Sequence, residues 1–267
     1  MSLRGLRILV TRSVEQEERF RAMIRERGGI PVSFPTIRLV PPADPAPLDD
    51  AIGRLDRFDW LLCSSANAAR FFLERAAARG VERLPGTLRV AAVGPGTERE
   101  LRDRGVEAHL VARKHTAEGL VEALAGEGIE GKRFLVPRAE EGRETLPEEL
   151  SRRGGSVETV TAYRNEIPSR DDRAVAEILA DPPEVCTFAS PSAFRNFLRL
   201  LGEEAAASVL SRSRIAVIGE VTAAAVEKRN FRVDILPERY TLAGMLDAIE
   251  RSAAPGAPRG EECDDLS

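Results

Sequence analysis

The sequence repeats itself, and that repetition limits the possible folds more than any single motif does. Displaced by 126 positions, Gly5, Arg7, Leu9, Val10, Arg12, Glu15, Glu18, Arg27, Gly28 and Gly29 fall on Gly131, Arg133, Leu135, Val136, Arg138, Glu141, Glu144, Arg153, Gly154 and Gly155 without a gap. At a displacement of 125, Ser65 falls on Ser190 and Phe72 on Phe197. The same displacement carries Arg89, Ala91, Gly94, Thr97, Arg104, Thr116, Gly119 and Ala123 onto Arg214, Ala216, Gly219, Thr222, Arg229, Thr241, Gly244 and Ala248. Chance can supply one such match but hardly three consecutive segments of them, so the chain is an internal duplication.

Each copy alternates strand and helix. Residues 7–10 read as an apolar strand ended by Thr11-Arg12-Ser13. Residues 14–27 place Phe20, Met23 and Ile24 at helical spacing, and Gly28-Gly29 stops that helix before a strand at 30–34. Residues 58–63 form the next strand, Ser64-Ser65-Ala66-Asn67 a turn and N-cap, and residues 68–79 a helix. Arg89-Val90-Ala91-Ala92-Val93-Gly94-Pro95-Gly96-Thr97 is then a buried strand, a glycine turn and a helix start. The order β-α-β, link, α-β-α-β-α-β-α implies parallel sheets with helices on both faces, an α/β protein. The link is the proline-rich Pro41-Pro42-Ala43-Asp44-Pro45-Ala46-Pro47, with a counterpart after Ile167-Pro168. Two arrangements satisfy this pattern. One places a domain on each copy in turn. The other lets residues 1–36 complete a domain with the C-terminal part while the middle forms the second. Residues 252–267 lack apolar periodicity and read as a disordered tail.

Composition narrows the function. A net charge of −4, a pI near 5.6 and no terminal basic block argue against nucleic acid or a membrane surface as partner. No run is long and apolar enough for a membrane span, and the N-terminus carries no signal-like core. Cys63, Cys186 and Cys263 have no CxxC or metal-ligand spacing, so a reduced, cytoplasmic protein is expected. The phosphate-loop, dinucleotide-binding, Gly-x-Ser-x-Gly and HExxH patterns are absent. His109 and His115 map onto Asp234 and Tyr240, and both read as surface histidines.

What remains are paired polar turns at strand ends. Arg12 and Arg138 follow the first strand of each copy, and Ser65 and Ser190 the next clear junction. Thr97 and Thr222 follow the Gly94 and Gly219 turns, while Thr116 and Thr241 start the last helices. Each serine or threonine has a local explanation as a helix cap worth about 1 kcal/mol. The same places are the carboxyl ends of parallel strands, where open α/β sheets bind ligands and helix N-termini favour anions. The arginines could add bidentate contacts to carboxylates. Tyr163 stands apart, because its counterpart is Ile37 and the duplication does not account for its hydroxyl.

With these residues assembled, the chain resembles the uroporphyrinogen-III synthase family. The matching stretches are Ile8-Leu9-Val10-Thr11-Arg12, Ser64-Ser65-Ala66-Asn67-Ala68, Ala92-Val93-Gly94-Pro95-Gly96-Thr97 and Thr116-Ala117-Glu118-Gly119-Leu120. They continue with Leu135-Val136-Pro137-Arg138-Ala139-Glu140, Val160-Thr161-Ala162-Tyr163-Arg164, Ala189-Ser190-Pro191-Ser192-Ala193 and Val217-Ile218-Gly219 with Thr222. The resemblance implies two doubly wound, flavodoxin-like domains, residues 1–36 with 168–251 and residues 37–167, joined by a two-segment linker. It implies cyclisation of hydroxymethylbilane to uroporphyrinogen III, with inversion of the last pyrrole ring, loss of water and no cofactor or metal. The substrate carries eight carboxylates, for which Arg12, Ser65, Thr97, Arg138, Ser190, Gly219 and Thr222 are candidate contacts in a cleft lined from both domains. Tyr163 matches the tyrosine expected to help the hydroxyl group leave. A monomer is expected, with a possible transient hand-over of substrate from hydroxymethylbilane synthase. A binding or sensor protein for an anionic small molecule, without chemistry, would use the same turns.

Overall fold

The computed structural model describes residues 3–142 and 144–252. The chain divides into two compact units, one made of Leu39–Asn165 and one of the segments before and after it. The first copy supplies β1 (Arg7–Val10), α1 (Val14–Glu26), β2 (Ile30–Ser33), β3 (Arg38–Val40), α2 (Ala46–Ile52), β4 (Trp60–Cys63) and α3 (Ala66–Ala78). It continues with β5 (Arg89–Ala92), α4 (Pro95–Asp103), β6 (Leu110–Val111) and α5 (Ala117–Ala125). The second copy supplies β7 (Arg133–Ala139), α6 (Thr145–Arg152), β8 (Ser156–Glu166), α7 (Asp172–Ala180), β9 (Val185–Phe188) and α8 (Pro191–Leu201). Then follow α9 (Glu203–Leu210), β10 (Arg214–Val217), α10 (Glu220–Glu227) and α11 (Leu242–Ser252).

The sheet of the discontinuous unit has the order β10-β9-β1-β2, every neighbouring pair parallel. That of the continuous unit has the order β3-β8-β7-β4-β5-β6, with parallel pairing from β8 through to β6. Under the duplication, β5-β4-β7-β8 corresponds to β10-β9-β1-β2, so both copies build one topology. The pairing of β1 with β9, Ile8 opposite Val185, selects between the two arrangements the sequence left open. Side chains reinforce it: Thr187 Oγ1 donates to the Leu9 carbonyl at 2.6 Å, and Thr11 Oγ1 donates to the Thr187 carbonyl at 2.8 Å. At the edge of the six-stranded sheet β3 lies beside β8, the two segments through which the chain passes between units.

The strands alternate between two cores with the period of two that a pleated strand imposes. In β4, Leu61 and Cys63 enter one core while Trp60 and Leu62 enter the other. In β1, Leu9 faces one core while Ile8 and Val10 face the other. Helices therefore cover both faces of each sheet, the doubly wound arrangement. Burying each such side chain stabilises the fold by about 1.5–3 kcal/mol.

Several details depart from the sequence pattern. Residues 46–47, assigned above to the exposed link, begin α2, because proline is accepted in the first turn of a helix. Helix α9 was not anticipated; Gly202, at φ 89°, breaks the chain out of α8 and starts it. The last strand of each copy is short, two residues in β6 and a single bridge between Ala216 and Ile235 in the second copy. Ser252 belongs to α11, and the rest of the expected tail lies outside the described residues. Among the described residues, no helix is long and apolar enough to cross a membrane.

Candidate functional site

In the continuous unit the chain leaves β7 through α6 toward β8, and leaves β4 through α3 toward β5. The connections diverge at the carboxyl ends of β4 and β7, the place where an open α/β sheet forms a crevice. A cavity of about 560 Å³ lies there. Its walls include Ser65 after β4, Arg138 at the end of β7, His115 and Thr116 before α5, and Tyr163 of β8.

Ser65 and Thr116 are where local sequence chemistry puts them. Ser65 Oγ accepts the backbone N–H of Ala68 at 3.1 Å, and Thr116 Oγ1 accepts that of Gly119 at 3.1 Å. Each satisfies a helix end that would otherwise face the cavity unpaired. Arg138 is held by its own unit, 2.6 Å from the Glu144 carboxylate and donating to the Gly142 carbonyl at 3.2 Å.

His115 is exposed, as expected of a surface histidine, yet it lines the cavity. Its Nδ1 lies 3.1 Å from the Ala112 carbonyl, and its ring covers Gly94 so closely that a Cβ there would sit 3.0 Å from Cγ. Gly94 has an extended backbone, φ 174°, so glycine serves space here and not an unusual dihedral. The other unit repeats the device with Tyr240 over Gly219, a Cβ there falling 3.2 Å from the ring. A hydrogen bond to Glu220, and then burial, raises the Tyr240 phenol above its ordinary range. His109 is exposed and accepts the Val90 N–H through Nδ1 at 3.1 Å.

Tyr163 follows a β-bulge. Arg138 is opposite Thr161 but Ala139 is opposite Tyr163, so Ala162 is the extra residue. Burial accordingly stops alternating, with Ala162 and Tyr163 consecutively buried at 1% and 8% exposure. A bulge re-aims the side chains beyond it, a feature common beside active sites. The Tyr163 ring stacks on Phe71 at 5.3 Å and 16°, and the Arg70 guanidinium lies 4.5 Å from the centre of the same Phe71 ring. Contacts of these kinds are each worth about 0.5–1.5 kcal/mol.

Thr97 does not line the cavity. It is 4% exposed inside the first turn of α4, its N–H donating to the Gly94 carbonyl at 3.1 Å, and Thr222 repeats this at 2% exposure with Gly219 at 3.0 Å. Ser190 caps α8 through the Ala193 N–H at 3.1 Å. Arg12 donates to the Gln16 side chain at 2.9 Å, not to Glu15. Its Nε and the neighbouring Ser13 Oγ are buried without a hydrogen-bond partner. Burial, and secondarily Arg19, holds the Arg12 guanidinium below the usual arginine range. Glu18, which corresponds to Glu144, pairs with Arg21 and Arg25 instead. The two duplicated arginines thus differ, Arg138 ion-paired and Arg12 bound to a neutral amide.

The structure therefore brings Ser65, Arg138 and Tyr163 to one cavity and keeps Thr97 inside a helix. It places Arg12, Ser190, Gly219 and Thr222 at the corresponding strand ends of the other unit. His115 and Phe71 were missed by sequence reasoning. His115 had a signal, since its duplicated partner Tyr240 is also a ring; Phe71 had none, its partner being Asn196. Among the described residues, no group of three or more His, Cys, Asp and Glu side chains is arranged to hold a metal ion.

Fold and site together define a duplicated, doubly wound α/β protein with a ligand-sized cavity at a strand-end crevice. The sequence profile of the family described as uroporphyrinogen-III synthase HemD matches residues 18–247. Uroporphyrinogen-III synthase of Synechococcus elongatus is 33% identical over 254 residues, covering 93% of this chain and 96% of the relative. The Chlorobaculum parvum enzyme of the same name is 31% identical over 246 residues, covering 91% and 97%. Among solved structures, uroporphyrinogen-III synthetase from Helicobacter pylori has a TM-score of 0.60 at 15% identity, covering 92% and 99%. A mutant uroporphyrinogen III synthase from Thermus thermophilus has 0.53 at 19%, covering 93% and 98%. At those identities the structures bear on the fold alone. The chain belongs to the uroporphyrinogen-III synthase family, whose enzymes serve tetrapyrrole biosynthesis.

Proposed function

We propose that this chain cyclises hydroxymethylbilane to uroporphyrinogen III, inverting the last pyrrole ring and releasing water, as a lyase of the hydro-lyase type. The observation that carries the reading is the buried phenol of Tyr163 in the cavity wall, beside Ser65 and Arg138. In this reading Tyr163 gives its proton to the hydroxymethyl oxygen as the carbon–oxygen bond breaks, so the group leaves as water. The electron-rich pyrrole supplies the push, and the methylene cation equivalent so formed bonds to the already substituted α-carbon of the last ring. That carbon's bond to its old methylene then breaks and re-forms at the ring's other α-carbon, which loses a proton and restores the balance. No net oxidation occurs, so the scheme needs no oxidant or reductant.

The harder task is positioning, because direct closure without inversion competes in solution. Arg12, Ser65, Arg138, Ser190 and the Gly219 turn serve as contacts for the carboxylate arms. Thr97 and Thr222 act from within their turns, which they fill. The enzyme works as a cytoplasmic monomer and takes its substrate by transient hand-over from hydroxymethylbilane synthase.

Purified protein incubated with hydroxymethylbilane, followed by chromatography of the oxidised products, tests the reading. The type III isomer is the expected product; only type I, as in a blank, overturns it. The Tyr163→Phe variant is expected to lower kcat by about 100-fold, the low end of general-acid contributions. Sedimentation at increasing concentration checks the monomer, which a stable dimer mass would refute.

A further inference from the structure

We propose that Phe71 is the positioning residue for the Tyr163 phenol, held for that task beneath the guanidinium of Arg70. The inference rests on the reading of Tyr163 given above. Helix α3 starts at the cavity with the Ser65 cap, and one turn further on it carries Arg70 and Phe71. Phe71 and Tyr163 are both 8% exposed, and their rings lie 5.3 Å apart and nearly parallel.

The ladder resumes at Tyr163 after the bulge at Ala162, its carbonyl accepting the Glu140 N–H at 2.9 Å, so the strand fixes the backbone there but not the direction of the ring. A tyrosine hydroxyl lies on the χ2 axis, so a ring flip leaves it in place while a swing about χ1 carries it away. A ring stacked flat on Phe71 cannot make that swing without losing the stack. The phenol is then held where a proton donor must be, within a fraction of an ångström of its acceptor.

Arg70 points the same way. Its Nη2 is buried without a hydrogen-bond partner, and among the described residues it makes no ion pair. Arginines elsewhere in this unit, such as Arg54 and Arg75, do find carboxylates. A partly buried, unpaired guanidinium is costly, and the Phe71 face at 4.5 Å is what receives it. The duplicated positions sharpen the comparison. Where Tyr163 is replaced by Ile37, Phe71 is replaced by Asn196, whose side chain donates to the Thr36 carbonyl at 2.9 Å. Both copies use this helix position as a hook, and the aromatic hook accompanies the tyrosine.

The test compares Phe71→Leu, Phe71→Tyr, Tyr163→Phe and the Phe71→Leu/Tyr163→Phe double variant by kcat and KM. Phe71→Leu is expected to lower kcat about tenfold, a displacement effect, with KM within about twofold, and Phe71→Tyr to restore it. In the double variant the Leu substitution should add nothing, since its effect passes through the hydroxyl. Ring-labelled tyrosine in a Tyr240→Phe background leaves the Tyr163 resonance alone, and Phe71→Leu should shift it; an unmoved resonance overturns the stack as the positioning contact.

A Phe71→Leu protein with normal kcat, beside a slow Tyr163→Phe protein, overturns the inference. So does an equal loss in both backgrounds, which marks a structural role. Full activity in Tyr163→Phe instead overturns the reading of Tyr163 and the inference with it. Should Phe71→Leu fail to fold, Phe71→Met, which fills similar space without a flat ring, takes its place with the same expected loss of kcat, about tenfold, and a normal kcat there overturns the inference.

Discussion

Gly94 and Gly119 are both glycine for space, but what occupies the space differs. A Cβ at Gly119 would lie 2.1 Å from the backbone oxygen of Lys114, whereas one at Gly94 meets an exposed imidazole at 3.0 Å. Backbone cannot step aside and a surface ring can. Gly119→Ala should therefore destabilise the protein by about 3 kcal/mol or more, the upper range of overpacking. Gly94→Ala should cost under about 1 kcal/mol in urea unfolding, and adding His115→Ala should recover it.

The cysteines make a pH prediction. Burial pushes the thiols of Cys63 and Cys186 up to about 12, against about 8.5 in an unfolded chain. The folded state keeps both protons where the unfolded state releases them, so this stability is present below about pH 8.5 and falls above it. The slope approaches about 1.4 kcal/mol per pH unit for each thiol. Unfolding measured between pH 8 and 10.5 should show a steeper decline than in a Cys63→Ala/Cys186→Ala variant.

At the scale of elements, capping was the most legible feature. Ser65, Ser190, Thr116 and Thr241 each accept the N–H three residues on, a relation confined to four consecutive residues. Ser65→Ala and Ser190→Ala should each cost about 1 kcal/mol in thermal or urea unfolding. If Ser65 also holds a carboxylate arm, its variant should raise KM as well. The bulge before Tyr163 was not legible, because a bulge exists only relative to the partner strand. Nor was the Phe71 stack, whose members lie far apart in sequence on different elements. His115 was half legible: the duplication paired it with another ring but could not show either ring lying on a glycine.

At the scale of the molecule, β1 is a central strand of a sheet whose other members include β9 and β10. Ile8, Leu9 and Val10 are fully buried on its two faces. Residues 39–165 contain their own sheet and both of their own cores, so that segment should fold alone and melt cooperatively. A chain beginning at residue 39 should keep this unit and lose the other, seen as partial helix content by circular dichroism and early proteolysis beyond residue 166.

The α/β class, the duplication, the alternation of strands and helices and the capped strand ends were determined by the sequence itself. Periods of two and 3.6, caps and glycine stops are properties of neighbouring residues and need no partner to be read. The partner of each strand was decided only by tertiary structure. Both candidate arrangements bury the same side chains and form the same kinds of ladder, so composition and pattern weigh them equally. Contacts between distant residues separate them, among them Thr187 with Leu9 and Thr11. The same holds at the cavity, where Tyr163 acquires its surroundings from a bulge, a helix and a stacked ring that no local pattern joins.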